Sequence, residues 1–507
     1  MTAPVGKILE EYRFLAPTSV LIHVSHQMRT KLPEESAPLY ERVAAQVGKL
    51  IDSGTLRPGD RIPSVRRSSR QHGVSVTTAV QAYLELENRG LIEARPKSGF
   101  YVRPRLHHAL AEPGRSRPAL AAHAVGKAEL MARIFEAASR PNVVPLGAGV
   151  PSEALLPTAK LNRLLASAAR NHGVAGINYD MPPGCEPLRR QLARRSLDWG
   201  CHLAPEDFIG TCGGTEALLL SLRAVTKPGD IVAVESPSYF GTIQAIESLG
   251  LKALEIPTDP RDGLDTDALG AALRRQRVAA CVATPNFHNP LGCLMPDDRK
   301  RELVELLARR EIPLIEDDVY GDTHFEGERP RTLKSFDAKG LVLLCGSFSK
   351  TLAPGYRVGW CVPGRFFERV KVLKLTTTMA TATLPQLAIA EFLQHGGYDH
   401  HLRAIRRTYA EQVQRVSHAL AETFPANIKL TRPRGGMFLW IELPRKVDAL
   451  ELFEQALRED ISIGPGPLFS AKQQFRNFVR VSCGHPWSAK LERGIGVLGS
   501  LVKRAAG

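Results

Sequence analysis

The sequence predicts an α/β protein built on a mainly parallel sheet, preceded by a smaller α+β unit. Two patterns carry this expectation. From residue 141 onward, short apolar runs at 231–235, 278–283, 313–317 and 342–346 are separated by helix-length segments, the alternation of parallel strands joined by helices. Between residues 38 and 103, three helical spacings are followed by two short alternating strands. Size agrees: 507 residues exceed one ordinary domain, and 43% hydrophobic with 23% charged residues is a globular balance.

The formal charge of +15 is uneven. Residues 1–128 hold 19 Lys plus Arg against 11 Asp plus Glu, a net of +8, as expected where a segment meets a polyanion. The eight cysteines contain no Cys-x-x-Cys pair and sit in apolar or glycine-rich runs, so they read as reduced thiols, and no metal site is expected. Residues 1–37 form an N-terminal extension with Glu10, Glu11 and an apolar stretch broken by Pro17, unlike a secretory leader. With no run of membrane-spanning length, the expectation is a cytoplasmic protein without membrane contact.

In the first unit, Leu39, Val43, Val47, Leu50 and Ile51 mark one helical face, with Gly54 as its stop. Residues 57–60 make a turn, Pro63 or Ser64 caps a second helix, and Ser75 caps a third that runs through Tyr83 and Leu86 to Gly90. Residues 91–94 and 100–102 alternate as strands around Pro96, Lys97, Ser98 and Gly99. Three helices and a basic hairpin make a winged helix-turn-helix. Pro38-Leu39-Tyr40, Gly54-Thr55-Leu56-Arg57-Pro58-Gly59, Ile62-Pro63-Ser64-Val65-Arg66, Val74-Ser75 and Ser98-Gly99-Phe100-Tyr101-Val102 together resemble the GntR-type winged helix. The resemblance implies DNA contacts by Ser64, Arg66, Thr77, Thr78 and Gly99. The chain departs from it in two places. Arg67, Ser68 and Ser69 stand where the family has Glu-Leu-Ala, and Val76 stands where it has arginine. Serines facing inward there forfeit apolar burial of about 1.5 to 3 kcal/mol each.

Residues 104–128, with Pro104, Pro113 and Pro118, read as a stiff basic linker, and 129–507 as the main domain, opening with helical spacing at 129–140. Catalytic groups in such sheets gather where strands end. Gly213, Gly214 and Thr215 lead into a helix whose free amides suit a phosphate, or a plain turn. Tyr239 follows the run at 231–235 as a stacking ring or a core tyrosine. Asn289, before Pro290, is a donor or a turn former. Glu316, Asp317 and Asp318 are three successive acids, costly to bury unpaired, which favours a functional role; Tyr320 follows. Last comes 346–359, where Lys350 stands among Ser347, Ser349 and Thr351 with Arg357 seven positions on and no acid nearby. A lysine so placed suits Schiff-base attachment of pyridoxal phosphate.

In this order the elements resemble the fold-type I, PLP-dependent aminotransferases of the aspartate-aminotransferase-like group, from about Leu146 to Ser482. The resemblance implies that Lys350 carries pyridoxal 5'-phosphate, that Asp317 pairs with its ring nitrogen, that Tyr320 and Asn289 meet its phenolic oxygen, and that Tyr239 stacks on the ring. It implies phosphate contacts by Gly214, Thr215, Ser347, Ser349 and Arg357, joined by Tyr179 of the partner subunit, and a substrate carboxylate on Arg480. No second arginine matches the family's distal one, which argues against a dicarboxylic ligand. A GntR-type unit, a linker and an aminotransferase-like domain in one chain resemble the MocR regulators. That implies a homodimeric transcription factor binding a double-stranded DNA operator and sensing an amino acid or amine effector; a working aminotransferase with a vestigial winged helix is the alternative.

Overall fold

The computed structural model describes residues 38–507 apart from 58, 89–90, 96–97, 103–109, 124–131, 135, 137–139, 141 and 396. The expectations for 1–37, for Pro96 and Lys97, and for most of 129–140 therefore lie outside the described residues. The chain divides into two units, 1–105 and 106–507.

In the first unit, helices Leu39–Asp52, Val65–His72 and Val76–Asn88 precede the antiparallel hairpin Ile92–Arg95 and Gly99–Val102. Val43, Val47, Ile51, Ala82, Tyr83, Leu86 and Ile92 share one buried cluster, the apolar face that the spacing gives. Ser64 caps the second helix by accepting from Arg67 N at 3.3 Å, and Ser75 caps the third by accepting from Thr78 N at 3.0 Å. Both departing serines are buried. Ser69 compensates, since its hydroxyl donates to the Val74 carbonyl at 2.6 Å and ties the second helix to the turn that launches the third.

The second unit is organised by an eight-stranded sheet. Its order is Ile209–Thr211, Gly359–Val362, Val342–Ser347, Leu314–Asp317, Ala280–Ala283, Ile231–Ser236, Lys252–Asp259, Gly263–Leu264. The five strands from Val342–Ser347 through Lys252–Asp259 run parallel, and Gly359–Val362 is antiparallel to both neighbours. The four apolar runs expected as strands are these central ones, buried on both faces. A second sheet, of Lys429–Leu430, Phe438–Glu442, Phe478–Ser482 and Gly464–Pro465, packs with the helices Gly397–Thr423, Ala449–Arg458 and Ala489–Ala506 around its own core.

The described part of the expected linker, 110–123, is laid along this second unit. Ala111 bridges Lys429, His123 bridges Ala253, and the Ser116 hydroxyl donates to the Ser236 carbonyl while accepting from Thr258 N at 2.9 Å. Pro113 and Pro118 keep the segment extended enough to lie in this way, and both are buried.

Candidate functional site

The parallel strands end level with one another: register sets Asp317 beside Cys345 and Glu316 beside Ala283, with Ser347 opposite Gly359 and Gly359 opposite Thr211. The segments after these ends wall a cavity of about 570 Å³. They bring Gly214, Thr215, Tyr239, Asn289, Asp317, Tyr320, Ser347, Ser349, Lys350 and Arg357 together, ten residues singled out from the sequence.

The Lys350 ammonium donates to the Gly149 carbonyl at 2.7 Å. Burial pulls it down to about 8, helped by the Arg480 and Arg357 guanidiniums and opposed by Asp317. Asp317, also buried, is pushed up to about 7 by loss of water and by the neighbouring Asp318 carboxylate, against the pull of Lys350. The cavity thus holds an amine and a carboxyl that each titrate near neutrality, as functional sites tend to do.

One end of the cavity is an anion cradle. The helix Gly214–Val225 begins there, and Gly213 before it adopts φ 82°, ψ 175°, a conformation that only glycine takes readily. A Cβ at Gly213 would stand 2.5 Å from Arg357 Nη2. Arg357, itself at φ 52°, extends Nη1 to the Ser349 hydroxyl at 3.5 Å and Nη2 to the Cys212 carbonyl at 3.2 Å. The Ser347 hydroxyl accepts from Ser349 N at 3.1 Å, so helix amides, hydroxyls and a guanidinium converge.

On another wall, Asn289 Nδ2 donates to the Tyr320 hydroxyl at 3.4 Å and Asn289 Oδ1 accepts from Arg480 Nη1 at 2.9 Å. Arg480 stands behind Asn289 instead of lining the cavity. It is fully buried, its second amino group donates to the Gly147 carbonyl, and Nε has no hydrogen-bond partner. Phe438 and Phe469 stack around it at 4.4 and 4.9 Å, no carboxylate pairs with it among the described residues, and burial lowers it to about 10.

The three-acid run requires correction, because strand alternation splits it: Asp317 alone faces the cavity. Glu316 points the other way and accepts from Leu333 N at 2.7 Å and Lys334 N at 2.9 Å. Asp318 is held by Asn286 Nδ2 at 2.8 Å and by Arg329. Both serve structure. Tyr179 is 71% exposed and does not line the cavity of its own chain.

Sequence reasoning missed Leu218 and Leu219, which line the cavity from the helix that Gly214 and Thr215 open. The signal was present, since positions four apart share a helix face. Also missed was the buried pair of Glu235 and His288, 3.1 Å apart. Glu235 also accepts from Thr284 N at 2.9 Å and so ties a strand end to the loop that carries Asn289. A lone glutamate in the apolar run 231–235 was the available hint.

On the winged helix, Ser64, Arg66 and Thr77 are exposed and Thr78 is half-buried, its hydroxyl 2.8 Å from that of Ser75. Gly99 turns the wing at φ 108°, a left-handed position where a Cβ would approach Arg61 Nε to 3.3 Å. Arg61, which no motif of the sequence marks, therefore adds a cation beside the wing. Arg95 lies over Tyr101 and pairs with Glu93 at 2.7 Å, which offsets part of its charge.

Pyridoxal phosphate fits the cavity of the second unit on these observations: a cradle for its phosphate, a buried carboxyl for its ring nitrogen and a lysine of depressed basicity for its aldehyde. The comparisons agree. The chain matches the aminotransferase class I and II family over residues 141–498 and the bacterial regulatory proteins of the gntR family over 39–102. It is 38% identical, across 92% of its length and 99% of the relative's, to the uncharacterized HTH-type transcriptional regulator YjiR of Escherichia coli. It is 31% identical to the 2-aminoadipate transaminase of Thermus thermophilus, over 74% of this chain and 94% of that one. Among solved structures, Pyrococcus horikoshii kynurenine aminotransferase in complex with PMP aligns at a TM-score of 0.70 and 28% identity, covering 74% of this chain and 94% of the other. LysN, the alpha-aminoadipate aminotransferase of T. thermophilus complexed with N-(5'-phosphopyridoxyl)-L-leucine, aligns at 0.68 and 30%, covering 75% and 99%.

Proposed function

This chain belongs to the aminotransferase class I and II family and joins that domain to a gntR-type winged helix, and from that premise we propose that it is a pyridoxal phosphate-dependent transcriptional regulator of MocR type. In this reading it binds a double-stranded DNA operator as a homodimer and senses an amino acid or related amine. The observation that carries the reading is the coverage of the regulator-named relative: 92% of this chain and 99% of the relative align, so both units are matched.

When bound, pyridoxal phosphate supplies an aldehyde that condenses with amines and a ring that withdraws electrons from them. The chain's residues then have the following parts. Gly214, Thr215, Ser347, Ser349 and Arg357 bind the phosphate, joined by Tyr179 of the partner subunit. Lys350, whose depressed basicity leaves a substantial neutral fraction near pH 8, offers its amine to the aldehyde. Asp317 holds a proton at the ring nitrogen, Asn289 and Tyr320 donate to the phenolic oxygen, and Tyr239 covers a ring face. Arg480, one layer behind the cavity wall, takes the effector's carboxylate on Nε, which has no partner, and on the amino group that it turns from the Gly147 carbonyl. Asn289, already bonded to both Arg480 and Tyr320, links the carboxylate position to the cofactor position. On the winged helix, Arg66 contacts phosphates, Ser64 and Gly99 set the approach of the backbone, and Thr77 and Thr78 meet base edges.

A second reading, a working aminotransferase, is favoured by the same cavity, where ten of the expected side chains and glycines converge. Both readings share a ligand test. Titrating the cofactor-loaded protein with a panel of amino acids should change its near-ultraviolet and visible spectrum. In Arg480→Lys, which keeps charge but loses the fork, the response should weaken about tenfold or more while cofactor absorbance survives. Equal responses in mutant and parent would remove Arg480 from the effector site.

A further inference from the structure

We propose that this protein has a second small-molecule site, in the groove beneath segment 110–123, that takes a ligand with a flat apolar body and one anionic group, carboxylate or phosphate. The groove has a volume of about 460 Å³, comparable with the cavity already described. Two half-buried rings, Phe475 and Phe478, line it, and the fully buried Trp440 backs Phe478 in a stack at 5.4 Å and 23°. Such a surface favours a planar partner.

Its charge is unbalanced in a specific way. Two of its cations are already neutralised, Arg115 by Asp265 and Asp259, and Lys429 by Glu442 at 2.9 Å. The other two, Arg117 and Arg445, line the groove with no ion pair or hydrogen bond among the described residues. Arg117 comes from the segment that covers the groove and Arg445 from the loop after the strand Phe438–Glu442, so two separate elements each supply the groove with an exposed guanidinium. Guanidiniums suit carboxylate and phosphate alike.

The groove is also placed to communicate. Pro237 lines it two residues before Tyr239, and Leu291 lines it two residues after Asn289, while Tyr239 and Asn289 line the larger cavity. The covering segment is anchored by Ser116 on the Ser236 carbonyl, at the root of the same loop. A ligand under this segment touches both loops from behind. The existence of the site stands independently of the roles given to the cofactor cavity.

The test is calorimetric titration of the cofactor-loaded, full-length protein with phenyl phosphate, benzoate and inorganic phosphate. Saturable binding of phenyl phosphate or benzoate at one site is expected. The double variant Arg117→Ala/Arg445→Ala should weaken it about tenfold or more, as loss of hydrogen bonds to a charged group does. Lys446→Ala, a neighbouring exposed cation outside the groove, should leave it unchanged. Competition by inorganic phosphate would assign the anion as a phosphate, and preference for benzoate without such competition as a carboxylate. Absence of saturable binding with all three probes, or binding that survives the double variant, would overturn the proposal.

Discussion

At the scale of single residues, the cavity depends on one glycine and one pair of opposed charges. Gly213 occupies backbone space closed to other residues, and its missing Cβ leaves room for Arg357. Gly213→Ala should therefore cost about 1 to 3 kcal/mol of backbone strain and displace the guanidinium, lowering cofactor affinity by about tenfold or more in a fluorescence or absorbance titration. Lys350 and Asp317 make a pH prediction. Lys350 sits near 8 in the folded chain against an ordinary 10.5, so the unfolded chain binds this proton more tightly. Stability of the cofactor-free protein should thus gain from this lysine as pH rises from about 8 towards 10.5. Asp317 has the opposite sign: at about 7 against 3.8, it holds its proton more tightly when folded, and its contribution falls as pH rises through that interval. Urea unfolding of cofactor-free Asp317→Asn should accordingly show a gain on the order of 2 kcal/mol above pH 7, with little change near pH 4. Borohydride reduction of the loaded protein followed by peptide mass mapping should place the pyridoxyl group on Lys350 and nowhere else.

At the scale of elements, the sequence is most legible where burial is two-sided. The runs 231–235, 278–283, 313–317 and 342–346 are continuous apolar stretches because both sheet faces are covered, and each is a strand with an end shifted by no more than two residues. The strand Lys252–Asp259 is not legible in the sequence because Lys252, Glu255 and Pro257 break its apolar run. Glu255 is nonetheless buried, accepting from the Ser236 hydroxyl at 3.3 Å and from Ala471 N at 3.2 Å. Such partners arrive from distant sequence and leave no local trace. The same limit explains the acids at 316–318, whose composition suggested one role while alternation gave each a different neighbour. The prolines of segment 110–123 suggest a spacer, because nothing local announces that Ser116 finds partners at Ser236 and Thr258. In the winged helix, Ser69 replaces apolar packing with a hydrogen bond to Val74. Ser69→Ala should cost about 1 kcal/mol and lower the unfolding midpoint of that unit in a thermal scan.

At the scale of the whole molecule, composition points to two tasks: residues 38–103, the winged helix, hold 11 Lys plus Arg against 6 Asp plus Glu, a net of +5, and a lysine without an adjacent acid belongs with the cavity. The candidate site was largely legible, since ten of the expected residues meet in one cavity; Arg480 stands one layer behind it and Tyr179 faces outward. The two candidate DNA contacts on separate helices should be separable. Arg66→Ala should weaken binding to specific and unrelated DNA alike, because a phosphate contact carries no sequence choice, whereas Thr77→Ala should chiefly narrow the gap between them. The central claim is that one chain reads DNA and senses an amino compound. Its most direct test is selection of fragmented genomic DNA by the purified, cofactor-loaded protein, repeated with an amino acid that alters the cofactor spectrum. A few enriched sites built from paired half-sites are expected, with occupancy changed by the amino acid. No enriched site, together with turnover of amino donors and keto acids at about 1 to 1000 per second, would contradict it and identify the protein as an aminotransferase.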